Sequence, residues 1–298
     1  LKREACKMAE PSWPEPGPNW SEAKSTWGSA WPIHVYLIAS TWTMGVIYFL
    51  FFFVQSVYRR NDGHKRTPFI VLSFQLFILA LSRCFVLFLN PYGWKSSTQT
   101  QIVTTVTAWS LGTAGLTSAF GVLLLILLDA TKLNLAPPKF QNLSVLIIIT
   151  AANFVFVLVA DIIVAFYGSA KILLLLCQVT FGLWGVMVTI GYFITANRTR
   201  KNLNATFQVS ELNAKAENRN PMKLKWLIIK LYVSSFLGLC IFSISLYAVL
   251  FGESSVLSKK RYVDSWPWWA FQTTLRILEI LMTLLITIVA LQSTRPSQ

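Results

Sequence analysis

Residues 68–89 read PFIVLSFQLFILALSRCFVLFL, a run of 22 residues in which Arg83 is the one charged side chain. At about 1.5 Å per residue, a helix of this length crosses the roughly 30 Å hydrocarbon core of a bilayer. A strand of a membrane barrel would instead show about ten residues of alternating polarity, so the run is a spanning helix. It stops at Asn90-Pro91-Tyr92-Gly93-Trp94. There proline and glycine end helical backbone, and Tyr92 and Trp94 suit the membrane interface. A permanent cation within the apolar run is what needs a physical account.

Six more blocks of similar length flank this one. Together they cover 33–57, 68–89, 102–128, 143–167, 172–195, 226–250 and 268–292. The chain is 54% hydrophobic and only 13% charged, against about 25% charged in soluble domains. The expected fold is therefore all-α and polytopic: a bundle of seven transmembrane helices over residues 33–292. Residues 1–32 carry Pro11, Pro14, Pro16 and Pro18 among Ser, Glu and Gly, a composition of extended, disordered chain. Because the sequence opens on Leu1, we expect it to be part of something longer, with 293–298 beginning a further tail. Block 102–128 contains Ser110, Gly112, Ala114, Gly115, Ser118, Ala119 and Gly121. Small residues let helix backbones approach closely, which predicts the central helix of the bundle.

The net charge of +14 sits mainly in alternate connectors. One set holds Arg59, Arg60, Lys65 and Arg66, then Lys132 and Lys139, then the basic residues of 196–225; the other holds only Lys95, Lys171, Lys259, Lys260 and Arg261. By the positive-inside rule the first set is cytoplasmic, which places the N-terminus outside and the C-terminus in the cytoplasm. This distribution answers to a membrane potential and not to a nucleic acid partner. Trp13, Trp20, Trp27, Trp31, Trp94, Trp266, Trp268 and Trp269 then fall on the outer side, as an interfacial belt, with the run 266–269 alternatively roofing a pocket. Asn19 heads an outer glycosylation sequon; those at Asn142, Asn197 and Asn204 would face the cytosol. Loop 196–225 has room for a cytosolic protein. Leu203, Phe207 and Leu212 hint that an apolar stripe continues the preceding helix into it.

Arg83, Asp161, Arg276 and Glu279 all lie in the outer half by residue count. A charge near the bilayer centre costs about 2.5–3.5 kcal/mol, so four at similar depth are expected to meet as one ionic network. Arg276 and Glu279 are three apart and touch on one helix face. Arg83 with Asp161 is the expected interhelical pair. Such a network either fixes helix packing or lines a cavity for a ligand or ion.

Enzyme chemistry has no footing in the sequence. Its two histidines, His34 and His64, fall on opposite sides of the membrane, so neither a zinc site nor a histidine-based triad assembles. The four cysteines, Cys6, Cys84, Cys177 and Cys240, lack metal-ligand spacing. Neither an enzyme activity nor a cofactor is expected.

Seven helices invite comparison with G-protein-coupled receptors, but Leu128-Asp129-Ala130-Thr131 stands where an acidic-Arg-Tyr motif would close helix three, and Asn-Pro-x-x-Tyr is missing from helix seven. A closer likeness rests on Trp27-Gly28-Ser29-Ala30-Trp31 with His34-Val35-Tyr36, and on Ser82-Arg83 followed by Phe88, Asn90, Pro91, Tyr92 and Gly93. In these the chain resembles, over most of 25–292, the membrane domain of the proline-rich transmembrane proteins numbered three and four. The resemblance implies a multi-pass domain behind a proline-rich extracellular region, without a transferable activity, and it places Arg83 in one motif with the Pro-Tyr-Gly exit. The expected function is that of a receptor-like or scaffold domain of the plasma membrane, with an extracellular ligand and a cytosolic partner; the alternative is a transporter or channel using the intramembrane charges.

Overall fold

In hydrocarbon a peptide group has no water to bond, so each apolar block closes its hydrogen bonds within itself. The computed structural model accordingly consists of helices. It describes residues 17–58, 63–93, 98–131, 143–167, 170–212, 221–251 and 262–293. Among them run α1 (Trp20–Trp27), α2 (Ala30–Tyr58), α3 (Gly63–Leu89), α4 (Gln99–Thr131), α5 (Leu143–Phe166), α6 (Lys171–Leu212), α7 (Pro221–Phe251) and α8 (Ser265–Ser293), with a short 3-10 turn at Pro91–Gly93. Helices α2 to α8 are each long and apolar enough to cross a membrane. The chain is thus an integral membrane protein with seven candidate spans.

Helix α4 is central. Its most apolar window is 72% buried, against 11% for α5, and it packs on α3, α5, α6 and α8. The small residues explain this. A Cβ on Gly115 would lie 3.2 Å from the Gln75 carbonyl oxygen of α3, so the two backbones approach as closely as they do because glycine stands there. Where α4, α6 and α7 meet, Phe120 stacks on Tyr192 at 4.3 Å and on Phe242 at 6.3 Å. The Tyr192 hydroxyl donates to the Phe120 carbonyl at 2.9 Å.

Two boundaries differ from the sequence expectation. Loop 196–225 does not begin at 196: α6 continues to Leu212, because neither glycine nor proline interrupts the chain between Gly191 and Pro221. At about 1.5 Å per residue its 42 residues reach about 63 Å, twice a bilayer's roughly 30 Å core. Residues 213–220 lie outside the described residues, as do 1–16. The second difference is in the tail: residues 17–32 are ordered helix and turn, not disordered chain. Helix α1 ends at Gly28, whose φ of 50° is open to glycine without strain, and whose amide caps the Lys24 carbonyl at 3.0 Å. This turn delivers the chain into α2. Helix α1 then folds back over the bundle, onto α8 and α2, and the Gly17 carbonyl accepts from the Val263 amide at 3.2 Å.

Candidate functional site

The cation that opened the question lies on α3 and is fully buried. The Arg83 guanidinium meets the Glu279 carboxylate edge to edge, with Nη2 donating to Oε1 at 2.9 Å and Nε to Oε2 at 3.2 Å. This two-pronged geometry is the strongest an arginine makes with a carboxylate. Nη1 donates to the Trp109 carbonyl at 2.8 Å, and Nη2 also to Thr113 Oγ1 at 2.9 Å. On α8, one turn before Glu279, Arg276 donates through Nη1 to Glu279 Oε2. One carboxylate therefore serves two buried arginines. Trp109 gives both a second partner: each guanidinium carbon is 4.4 Å from the centre of its ring, within cation–π range.

Gly112 makes room for this arrangement. A Cβ there would overlap Ser82 Oγ and lie 3.1 Å from Arg83 Nη1. The bare backbone of α4 is the passage by which an α3 side chain reaches α8.

The expected Arg83–Asp161 pair does not form. Helix α3 packs on α2 and α4, whereas α5, which carries Asp161, packs on α4 and α6. Equal depth along the membrane normal does not make two helices neighbours. Asp161 is 2% exposed, and Ser110 hydrogen-bonds its carboxylate. Its Oδ2 has no partner among the described residues. It belongs to the lining of a partly open cavity of about 170 Å³ among α4 to α8, whose wall also includes Gln272, Arg276 and Glu279 of α8. Gln272 Oε1 and Arg276 Nε are likewise buried without partners.

Above the arginines sits an aromatic cap. Pro91–Gly93 forms the 3-10 turn that ends α3, with Tyr92 in the left-handed region at φ 57°. A non-glycine residue there costs about 1–2 kcal/mol. Its buried phenol compensates, standing edge-on to Trp109 at 5.4 Å and to Trp268 at 5.2 Å. Burial pushes the Tyr92 phenol up to about 12, which keeps it a neutral hydroxyl. It meets His34 Nε2 at 2.9 Å, and His34 Nδ1 meets Thr273 Oγ1 at 2.9 Å. The Thr273 proton goes to the Trp269 carbonyl at 2.7 Å, so His34 Nδ1–H donates to Thr273. On a neutral imidazole, Nε2 then accepts from Tyr92. Trp94, expected in the same exit motif, lies outside the described residues.

Nor do Trp27, Trp31 and Trp268 join the expected belt; Trp13 and Trp94 lie outside the described residues. Trp27, Trp31 and Trp268 are buried and pack on one another, Trp27 stacking on Trp31 at 5.1 Å and on Trp268 at 5.7 Å. Trp27 Nε1 donates to the Ser265 carbonyl at 3.1 Å. Because α1 folds back over the bundle end, these indoles meet each other instead of headgroups; Trp266 stays half exposed. Asn19, the expected outer sequon, caps α1, its carbonyl accepting from Ala23 at 2.7 Å.

Sequence reasoning did not single out Trp109, Thr113 or Thr273 as site residues. For Trp109 a signal was present: it is the one tryptophan of block 102–128, four residues before Thr113 and three before Gly112, a spacing that puts all three on neighbouring positions of one helix surface.

A family model described as the proline-rich transmembrane protein 3 domain matches residues 4–298. A search of curated proteins gave no match to the chain.

Proposed function

From the premise that the chain belongs to the proline-rich transmembrane protein 3 family, we propose that it is a receptor-like, non-catalytic domain of the plasma membrane which takes a small ligand into the cavity beside Arg276. One observation carries this reading: Asp161, Gln272 and Arg276 each hold a buried polar atom without a partner among the described residues, and all three line one cavity. Leaving such an atom unpaired costs about 1–3 kcal/mol, and a bound molecule recovers it. The wall joins α8, tied to α3 through the Arg83–Glu279 pair, to α5 and α6. Helix α6 runs on to Leu212, so a ligand that draws the cavity walls together also acts on a helix that projects beyond the bilayer. That projection is where a cytosolic partner would read the change.

Cys177 lines the same cavity and supplies the test. The chain, with Cys6, Cys84 and Cys240 changed to serine and reconstituted in lipid nanodiscs, is treated with the ammonium reagent 2-aminoethyl methanethiosulfonate. A charged group pays about 2.5–3.5 kcal/mol to enter hydrocarbon. Cys177 should therefore react more than about tenfold faster than a cysteine at Val155, which is 60% exposed on α5 and faces lipid. Equal rates would mean a closed packing gap and would end the ligand reading.

We further propose that the N-terminus is extracellular. The unequal share of arginine and lysine between alternate connectors supports this. In cells, glycan should disappear with Asn19→Gln and persist with Asn197→Gln and Asn204→Gln; the reverse pattern would invert the molecule.

A further inference from the structure

The identity of the three unpartnered groups points to the chemistry of the ligand. Asp161 Oδ2 and Gln272 Oε1 are acceptors that need donors, and Arg276 Nε–H is a donor that needs an acceptor. All three side chains are more than nine-tenths buried, at 2%, 6% and 4% exposure. The Arg276 guanidinium carries five N–H groups, and one hydrogen bond to Glu279 leaves it ample capacity for a carboxylate.

Charge narrows the choice. Arg83 and Arg276 share the one Glu279 carboxylate, so the cluster carries one surplus positive charge, and Asp161 stands on the same wall as a carboxyl group that an approaching ammonium would pair with. A ligand with only a positive charge would satisfy Asp161 and face Arg276 unpaired. One with only a negative charge would do the opposite. A zwitterion answers both and leaves the buried net charge unchanged. Size and lining agree: a cavity of about 150 Å³ holds benzene, so about 170 Å³ admits a molecule of roughly six to eight heavy atoms. Val106, Val157, Leu174, Ile241 and Leu275 give it apolar walls.

We propose that the cavity binds a small aliphatic amino acid, with its ammonium on Asp161 and Gln272 and its carboxylate on Arg276. The proposal rests on the cavity being a ligand site, and the test separates the two.

Cys177 labelling and the thermal midpoint of the full chain in nanodiscs are measured with each of the twenty free amino acids and γ-aminobutyrate. n-Butylamine and butyrate, which carry one charge each, serve as controls. At least one amino acid should slow labelling and raise the midpoint where the controls do neither. Asp161→Asn and Gln272→Leu should each weaken that amino acid about tenfold or more, the worth of a hydrogen bond to a charged group. If Asp161→Asn does not fold, Gln272→Leu alone decides. Protection by butylamine or butyrate equal to that of the amino acid overturns the proposal. So does an amino acid whose affinity ignores both substitutions. Fast labelling of Cys177 with protection by none of the amino acids removes the zwitterion and leaves the cavity reading standing; slow labelling throughout removes both.

Discussion

Glu279→Ala should leave almost no folded protein. Glu279 is the carboxylate that both Arg83 and Arg276 contact, and both arginines are buried. Breaking one buried pair by removing a partner costs about 3–5 kcal/mol, and here a single deletion strands two guanidiniums that also repel each other. Total stability of a domain is about 5–15 kcal/mol, so the loss consumes a large part of it. Fluorescence-detected size exclusion of the detergent-extracted chain reads the outcome directly: the monodisperse peak should vanish. Glu279→Gln keeps a hydrogen-bond acceptor and should fall between. The informative partner is the triple change Arg83→Met, Arg276→Met and Glu279→Leu. It removes all three charges at nearly constant volume, and by the same physics it should recover most of the folded peak. A normal peak from Glu279→Ala alone would deny the cluster any structural role.

The second large effect is expected from adding a single methyl group. Alanine is the better helix former, and Gly112→Ala on an open helix surface would gain about 1 kcal/mol. At this position the sign reverses. The new Cβ would overlap Ser82 Oγ and crowd Arg83 at 3.1 Å from Nη1 and 3.2 Å from Cζ. Ser82 is itself held, its hydroxyl donating to the Leu79 carbonyl at 2.8 Å. Overpacking a core costs about 1–3 kcal/mol, and displacing Arg83 from its two-pronged contact adds to that, so a net loss of about 2–4 kcal/mol is expected. The midpoint of thermal unfolding measures it. Because one of the obstructing atoms is Ser82 Oγ, Ser82→Ala should restore part of the loss in the double variant while changing little by itself. Additive effects of the two substitutions would show that they do not meet.

Seven helices were legible because hydropathy over some twenty residues records a single scalar, the distance through the bilayer, and the bilayer enforces it. The central place of α4 was legible for a related reason: Gly112 and Gly115 advertise close approach wherever they stand. What the sequence does not encode locally is the order of helices around the bundle. Arg83 and Asp161 stand at matching depth, and depth was the only coordinate available to pair them. The selection of Glu279 depends on α8 lying against α4 and on a gap at Gly112, both of them relations between distant segments. Composition misled at the N-terminal side in the same way. Four prolines before Asn19 suggest extended chain, yet Trp20, Trp27 and Trp31 gain more by packing against Trp268 than by remaining in solvent or at headgroups.

The contacts that join the cap and the charge cluster span most of the chain. Trp27 bonds a residue 238 positions later, His34 one 239 later, and Arg83 one 196 later; all three end on α8, which follows the other helices in chain order. Until α8 inserts, a nascent chain holds Arg83 in the membrane without its carboxylate and α1 without the surface on which it rests. Insertion of α8 thus coincides with closure of both, and a chain stalled or truncated before α8 is distinguishable from one that has inserted it by an uncompensated arginine within the bilayer.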